Sequence, residues 1–137
     1  MKIVVLGSMQ HAEKMVALRD QLNLAGHEAC VTSFHTAFHG KSDEEKERIK
    51  LEQKYHQDAI REGWELIRDA EAILVANYDK QGIANYIGGN VLMEIGFAHV
   101  LHKKIFLLHP IPDISFYKTE IEAVKPVILH ENLSLLS

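Results

Sequence analysis

Residues 72–108, AILVANYDKQGIANYIGGNVLMEIGFAHVLHKKIFLL, open and close on uninterrupted apolar runs, Ala72 to Ala76 and Ile105 to Leu108, the second led in by Lys104. A run that is apolar at successive positions and too short for a helix suits a strand covered on both faces. Between the runs lie a polar loop, 77 to 90, and a helix that is apolar on nearly every side. Strand, helix and strand at this spacing predict a parallel pair joined by a right-handed crossover.

The same alternation continues outward. Lys2 to Leu6 is a β-branched run that stops at Gly7-Ser8, and from Gln10 the pattern turns helical, with Met15, Leu18, Leu22 and Leu24/Ala25 at three-to-four spacing. Gly26 is a natural helix terminator, and Glu28 to Thr32 reads as a short second strand. Residues 33 to 42, SFHTAFHGKS, read as loop. Ser42 followed by Glu45 is a capping-box signal for a long charged helix running to about Ala70, solvated in its early turns. Its later turns carry Tyr55, Ala59, Ile60, Trp64 and Ile67, a stripe expected to press on a sheet. Pro110 and Pro112 break the chain after the fourth strand; Ile114 to Ala123 is expected to be helical and Pro126 to Leu129 a last strand. No repeat or low-complexity segment interrupts this order. The expectation is a single α/β domain over residues 1–137. It is a flavodoxin-like or Rossmann-like sandwich, with a parallel sheet of about five strands and helices on both faces.

Composition narrows the function. With 137 residues, 47% of them hydrophobic, the chain can build one full core. A net charge of -4 provides no basic field, which argues against a nucleic-acid polymer or an acidic membrane as partner and favours a small molecule. The lone Cys30 has no internal disulfide partner, and the apolar run after Met1 ends at Leu6, too short for a membrane span or signal peptide; a cytoplasmic protein is expected.

In a parallel α/β sheet, ligands sit beyond the carboxyl ends of the strands, where Gly7-Ser8, the loop 77 to 90 and Glu94 should converge. Gly7-Ser8 offers backbone N–H groups and a hydroxyl to an anion or a sugar, but it is neither a dinucleotide fingerprint nor a Walker loop, and it serves equally as a structural turn. Gly88-Gly89 would let the backbone approach a ligand or simply make a tight turn, and Asn90 is the expected N-cap of the apolar helix. Glu94 then falls about one turn in, with Val91, Ala98 and Leu101 on its own face. Two readings stay open. Either the carboxylate points into a pocket, its pKa raised by burial and lowered by the helix terminus, or it complements the helix dipole and reaches solvent.

The histidine pairs His35/His39 and His99/His102 lack the surroundings of a metal site, so no metal and no other cofactor is expected. A serine triad lacks its nucleophile elbow, and Cys30 has no activating partner.

Four segments together, Gly7-Ser8, AILVANYD (72–79), GGN (88–90) and MEIGFAHVLHKKIFLL (93–108), resemble the nucleoside 2-deoxyribosyltransferase superfamily, which includes the deoxynucleoside monophosphate N-glycosidases. The sharpest part is the E-[IL]-G-x-A pattern, here Glu94, Ile95, Gly96, Phe97 and Ala98. The resemblance implies N-glycosidic bond cleavage or deoxyribosyl transfer on a nucleoside or nucleoside 5′-monophosphate, with Glu94 attacking the anomeric carbon to form a covalent glycosyl-enzyme. It also implies that Gly7 and Ser8 border the sugar or phosphate, that Asn77, Asp79 and the backbone of Gly88, Gly89 and Asn90 line base and sugar, and that Asp79, Tyr78 or Tyr86 assists base departure. A homo-oligomer is implied as well, with the tail ENLSLL, 131 to 136, offering apolar residues for a contact.

The chain departs from the family pattern at three places. Ile87 stands before Gly88-Gly89 where an acidic residue is usual, and Gly63, flanked by Glu62 and Glu65, stands near the position of a helical aspartate. Met9-Gln10-His11 lacks the extra glycines and arginine of the phosphate-binding members. The alternative reading is therefore a non-catalytic nucleotide- or nucleoside-binding protein on the same scaffold. A third is an interaction domain in which Glu94 is solvated.

Overall fold

Five strands pair in the order β2-β1-β3-β4-β5, all parallel. They are β1 (Lys2–Leu6), β2 (Glu28–Cys30), β3 (Ala72–Val75), β4 (Lys104–Leu107) and β5 (Val127–Ile128). The computed structural model describes residues 1–33, 38, 40–56 and 58–137. Within these residues the helices are α1 (Ala12–Leu24), α2 (Asp43–His56), α3 (Ala59–Asp69), α4 (Gly89–Val100) and α5 (Lys118–Ala123). The architecture is the expected α/β sandwich, with the strand order of the flavodoxin-like doubly wound sheets.

The apolar runs make the two-sided core because side chains alternate across a strand. Ile3, Val5, Leu74 and Phe106 face one way, packed with Met15, Leu18 and Leu22 of α1. Val4, Leu6, Ile73, Val75, Ile105 and Leu107 face the other, packed with Ile67 of α3, Val91, Ile95 and Ala98 of α4, and Ile121 of α5. Leu24, expected on the buried stripe of α1, is exposed; the stripe ends with Leu22 as the chain turns at Gly26. No helix among the described residues is long and apolar enough to cross a membrane.

One expected helix is two. The serine half of the capping box forms, Ser42 Oγ accepting from Glu45 N–H at 3.2 Å, while the Glu45 carboxylate accepts from the Ser42 hydroxyl at 3.1 Å. The helix it opens ends at His56, and a second begins after Asp58, which adopts the left-handed conformation (φ 50°, ψ 51°) and accepts from Arg61 N–H at 3.3 Å. Aspartate tolerates that backbone better than most residues and is a strong N-cap, so it can both break the chain direction and restart a helix. The break leaves Tyr55 and Ile60 exposed and puts Gly63 and Ile67 on the buried face of α3.

α2 is fixed over the strand ends by Lys46. Its side chain is only 5% exposed and donates to Gln10 O at 3.2 Å and Glu13 Oε2 at 2.9 Å. This bond to Lys46 holds the Glu13 carboxyl down to about 2. The tail is mostly consumed within its own chain, since Leu136 is buried in the α1-side core and Leu133 packs against it, leaving Leu135 exposed.

Candidate active site

At the carboxyl ends of β1 and β3, where the strand order reverses direction, the surface folds into a cavity. Gly7, Ser8, Tyr86, Gly88, Gly89, Asn90 and Glu94 all line it, so seven of the ten residues expected at the site meet in one place, Asn77, Tyr78 and Asp79 being the others. Each arrives for a local reason. Gly7 follows β1 where a β-carbon would lie 3.0 Å from Ala76 O and 3.0 Å from Met15 Sδ, contacts tight enough that glycine suits the close approach of α1 and the end of β3 there. Ser8 caps the short 3-10 turn Met9–His11, its Oγ accepting from Gln10 N–H at 3.4 Å.

Loop 77–88 is a folded hairpin rather than an open loop. Lys80 and Ile83 exchange backbone hydrogen bonds of 3.0 and 2.9 Å across Gln81 and Gly82, both at positive φ (52° and 76°), which is the two-residue turn that glycine favours. Tyr86 N–H then returns to Tyr78 O at 3.1 Å, and the Tyr117 hydroxyl donates to Ile87 O. This fold carries Lys80 and Tyr86 over the cavity, with the Lys80 ammonium 5.2 Å from the Tyr86 ring centroid and 3.0 Å from Ser8 Oγ. Burial and the nearby Lys50, which also lines the cavity, depress the Lys80 pKa, partly offset by Glu47.

Asn77 and Asp79 do not line the cavity. Fully buried Asn77 accepts from His109 N–H at 2.9 Å and donates to His109 O and Pro110 O at 2.9 and 3.1 Å, tying the end of β3 to that of β4. Asp79 turns its carboxylate to Asn85 N–H at 2.9 Å, while its carbonyl meets His11 Nε2 at 3.1 Å. The polar character of both positions serves the loop scaffold, because a folded loop must satisfy its own backbone groups. Tyr78 stacks edge-on between His11 and His109, and desolvation followed by the Glu131 charge raises its pKa.

The N-cap of α4 is Gly88, in extended conformation with no side-chain bond to the helix, and Asn90 lies inside the first turn. Asn90 is therefore not the cap, and no acidic residue occupies that first turn. The shift puts Glu94 in the second turn, where the helix dipole has largely faded. Desolvation then acts alone and raises the Glu94 pKa to about 8. Glu94 is half-buried, open to the cavity and otherwise enclosed by protein, and among the described residues its carboxyl has no hydrogen-bond or ion-pair partner. Glu62, beside Gly63, is tied elsewhere: it accepts from Ser33 N–H at 3.1 Å and from Ser33 Oγ at 2.9 Å.

Sequence reading missed Lys80, Lys50 and Thr32, which also line the cavity. The turn-forming Gln81-Gly82 was the available signal for Lys80. Lys50 stands one helical turn after the buried Lys46, and nothing in its neighbours singles it out. Among the described residues no group of three or more His, Cys, Asp or Glu is arranged to hold a metal; His35 and His39 lie outside them, and His99 and His102 are exposed. The chain matches no family model, no curated protein and no solved structure.

Proposed function

We propose that the protein cleaves or transfers the N-glycosidic bond of a nucleoside or nucleoside 5′-monophosphate, in the manner of the nucleoside 2-deoxyribosyltransferase superfamily its sequence resembles. The observation that carries this reading is Glu94. A carboxyl with no partner among the described residues, half-buried and open to a cavity at the strand ends, costs stability without a structural bond to offset it. In the first step a Glu94 carboxylate oxygen bonds to the anomeric carbon as the bond from that carbon to the base nitrogen breaks, and the base leaves with the bonding pair and takes up a proton. In the second step water, or the nitrogen of another base, displaces the glutamate from the same carbon with loss of a proton. Ser8 and the Lys80 ammonium suit a 5′-phosphate, and Tyr86 offers a ring and a hydroxyl to the base. The homo-oligomer implied by the resemblance belongs to this proposal.

A second reading, binding without turnover, draws on the same carboxyl. With a pKa of about 8 it is mostly neutral at pH 7, and a neutral acid is a poor nucleophile. One experiment separates the two. Intact-protein mass spectrometry after brief incubation with mixed deoxynucleosides and deoxynucleotides should show a deoxyribosyl or deoxyribosyl-phosphate adduct on wild type and none on Glu94→Ala. Saturable binding with neither adduct nor released base would establish the binding reading.

A further inference from the structure

Gly63 sits in the middle of α3, where glycine is the least favoured residue after proline. Its φ is not positive, so the backbone does not require glycine there. Space does. A β-carbon built on Gly63 would lie 2.6 Å from Glu94 Oε2, 3.5 Å from Cδ and 3.9 Å from Cγ, and these are its three nearest neighbours. The first distance is shorter than any normal non-bonded contact. Gly96, two residues after Glu94 on α4, has no atom within 4 Å of such a carbon and shows no comparable constraint.

We propose that Gly63 is the positioning residue for Glu94: the room left by its missing side chain is the seat of the carboxylate, which α3 thereby holds at the wall of the cavity. Among the described residues the seat offers no donor. No side chain of α3 or α4 bonds the carboxyl, and Lys50 and Lys80, which line the same cavity, make no ion pair with it. Glu94 is thus placed by shape alone, and any side chain at 63 must push a flexible carboxylate out of its seat rather than displace backbone. The consequence for turnover rests on the proposed glycosidic reaction; the placement does not.

The test uses Gly63→Ala in wild-type and Glu94→Ala backgrounds. Protein labelled with carbon-13 at the glutamate carboxyls, with Glu94→Gln to assign the signal, should show Glu94 titrating near pH 8 in wild type. In Gly63→Ala the midpoint should fall by at least one pH unit as the carboxyl moves outward. Adduct formation or kcat should fall at least tenfold with a smaller change in KM. At pH 4, where Glu94 is protonated in both the folded and unfolded chain and its outward move brings no gain from ionisation, the alanine should lower Tm in the wild-type background and raise it in the Glu94→Ala background, where its better helix propensity is no longer opposed. An unchanged titration, or the same Tm loss in both backgrounds, would overturn the proposal. If Gly63→Ala alone does not fold, recovery of folding in Gly63→Ala/Glu94→Ala supports it and failure to recover overturns it. Absence of turnover in wild type would refute the enzymatic reading while the titration and the Tm comparison still judge the placement.

Discussion

Replacing Glu94 by glutamine should make the protein more stable at alkaline pH and leave it nearly unchanged in acid. The glutamine has the shape of the protonated acid but cannot ionise. In the folded protein burial raises the Glu94 pKa from 4.5 to about 8. Below pH 4.5 both folded and unfolded chains carry the proton, and the carboxyl brings no pH dependence. Between pH 4.5 and 8 the unfolded chain releases the proton while the folded chain keeps it, so the stability present in acid is lost steadily as pH rises, at about 1.4 kcal/mol per pH unit. Above pH 8 both states are ionised, and the loss levels off at roughly 5 kcal/mol, an upper figure because the open face toward the cavity admits water. Urea unfolding of wild type and Glu94→Gln at pH 5, 6, 7, 8 and 9 would read the difference directly. The gap should widen in favour of glutamine up to about pH 8 and then stay constant. A difference independent of pH would refute the reasoning, since it would mean that Glu94 is hydrated or paired like an ordinary surface glutamate.

On the proposed glycosidic reading, Lys80→Ala should weaken binding of a deoxynucleoside 5′-monophosphate by roughly 10- to 100-fold, the worth of one charge-assisted bond, and leave the neutral nucleoside nearly unaffected. Calorimetric titration with both ligands checks this, and equal losses would remove the phosphate from that end of the cavity. Asn77→Ala leaves a buried His109 N–H and two carbonyls without their partner, at a cost of about 2–4 kcal/mol and a Tm lower by roughly 6–15 °C. Thermal unfolding followed by circular dichroism would show it, and a Tm within 2 °C of wild type, a margin of about half a kcal/mol, would mean that the strand ends do not depend on this side chain.

The strands were legible in the chain because burial on both faces leaves a local mark. Lys2 to Leu6, Ala72 to Ala76 and Lys104 to Leu108 each announce a buried strand within a few residues, and the intervening helix periods then leave a parallel sheet as the consistent arrangement. Glycines after β1 and before α4 marked the cavity edge, so Gly7, Ser8, Gly88, Gly89 and Glu94 could be placed together before any coordinates. Helix ends were harder. The cap belongs to Gly88 and not Asn90, and one charged helix is two, because a single left-handed residue at Asp58 redirects the chain without disturbing the polar pattern around it.

What the sequence determined by itself is therefore what depends on near neighbours: strand, turn, helix period and the presence of one carboxylate on an apolar helix. Tertiary structure alone decided what that carboxylate meets. Gly63 lies 31 residues before Glu94, Ser8 lies 72 before Lys80, and Asn77 reaches forward to His109; each pair is made by packing of separate elements over the sheet. Local periodicity records which side of a helix is buried, but not which residue of another helix stands opposite it. For that reason Asn77 turned inward and Asp79, at the surface, braced the loop through Asn85, while Gly63, with no side chain at all, shapes the place where Glu94 sits.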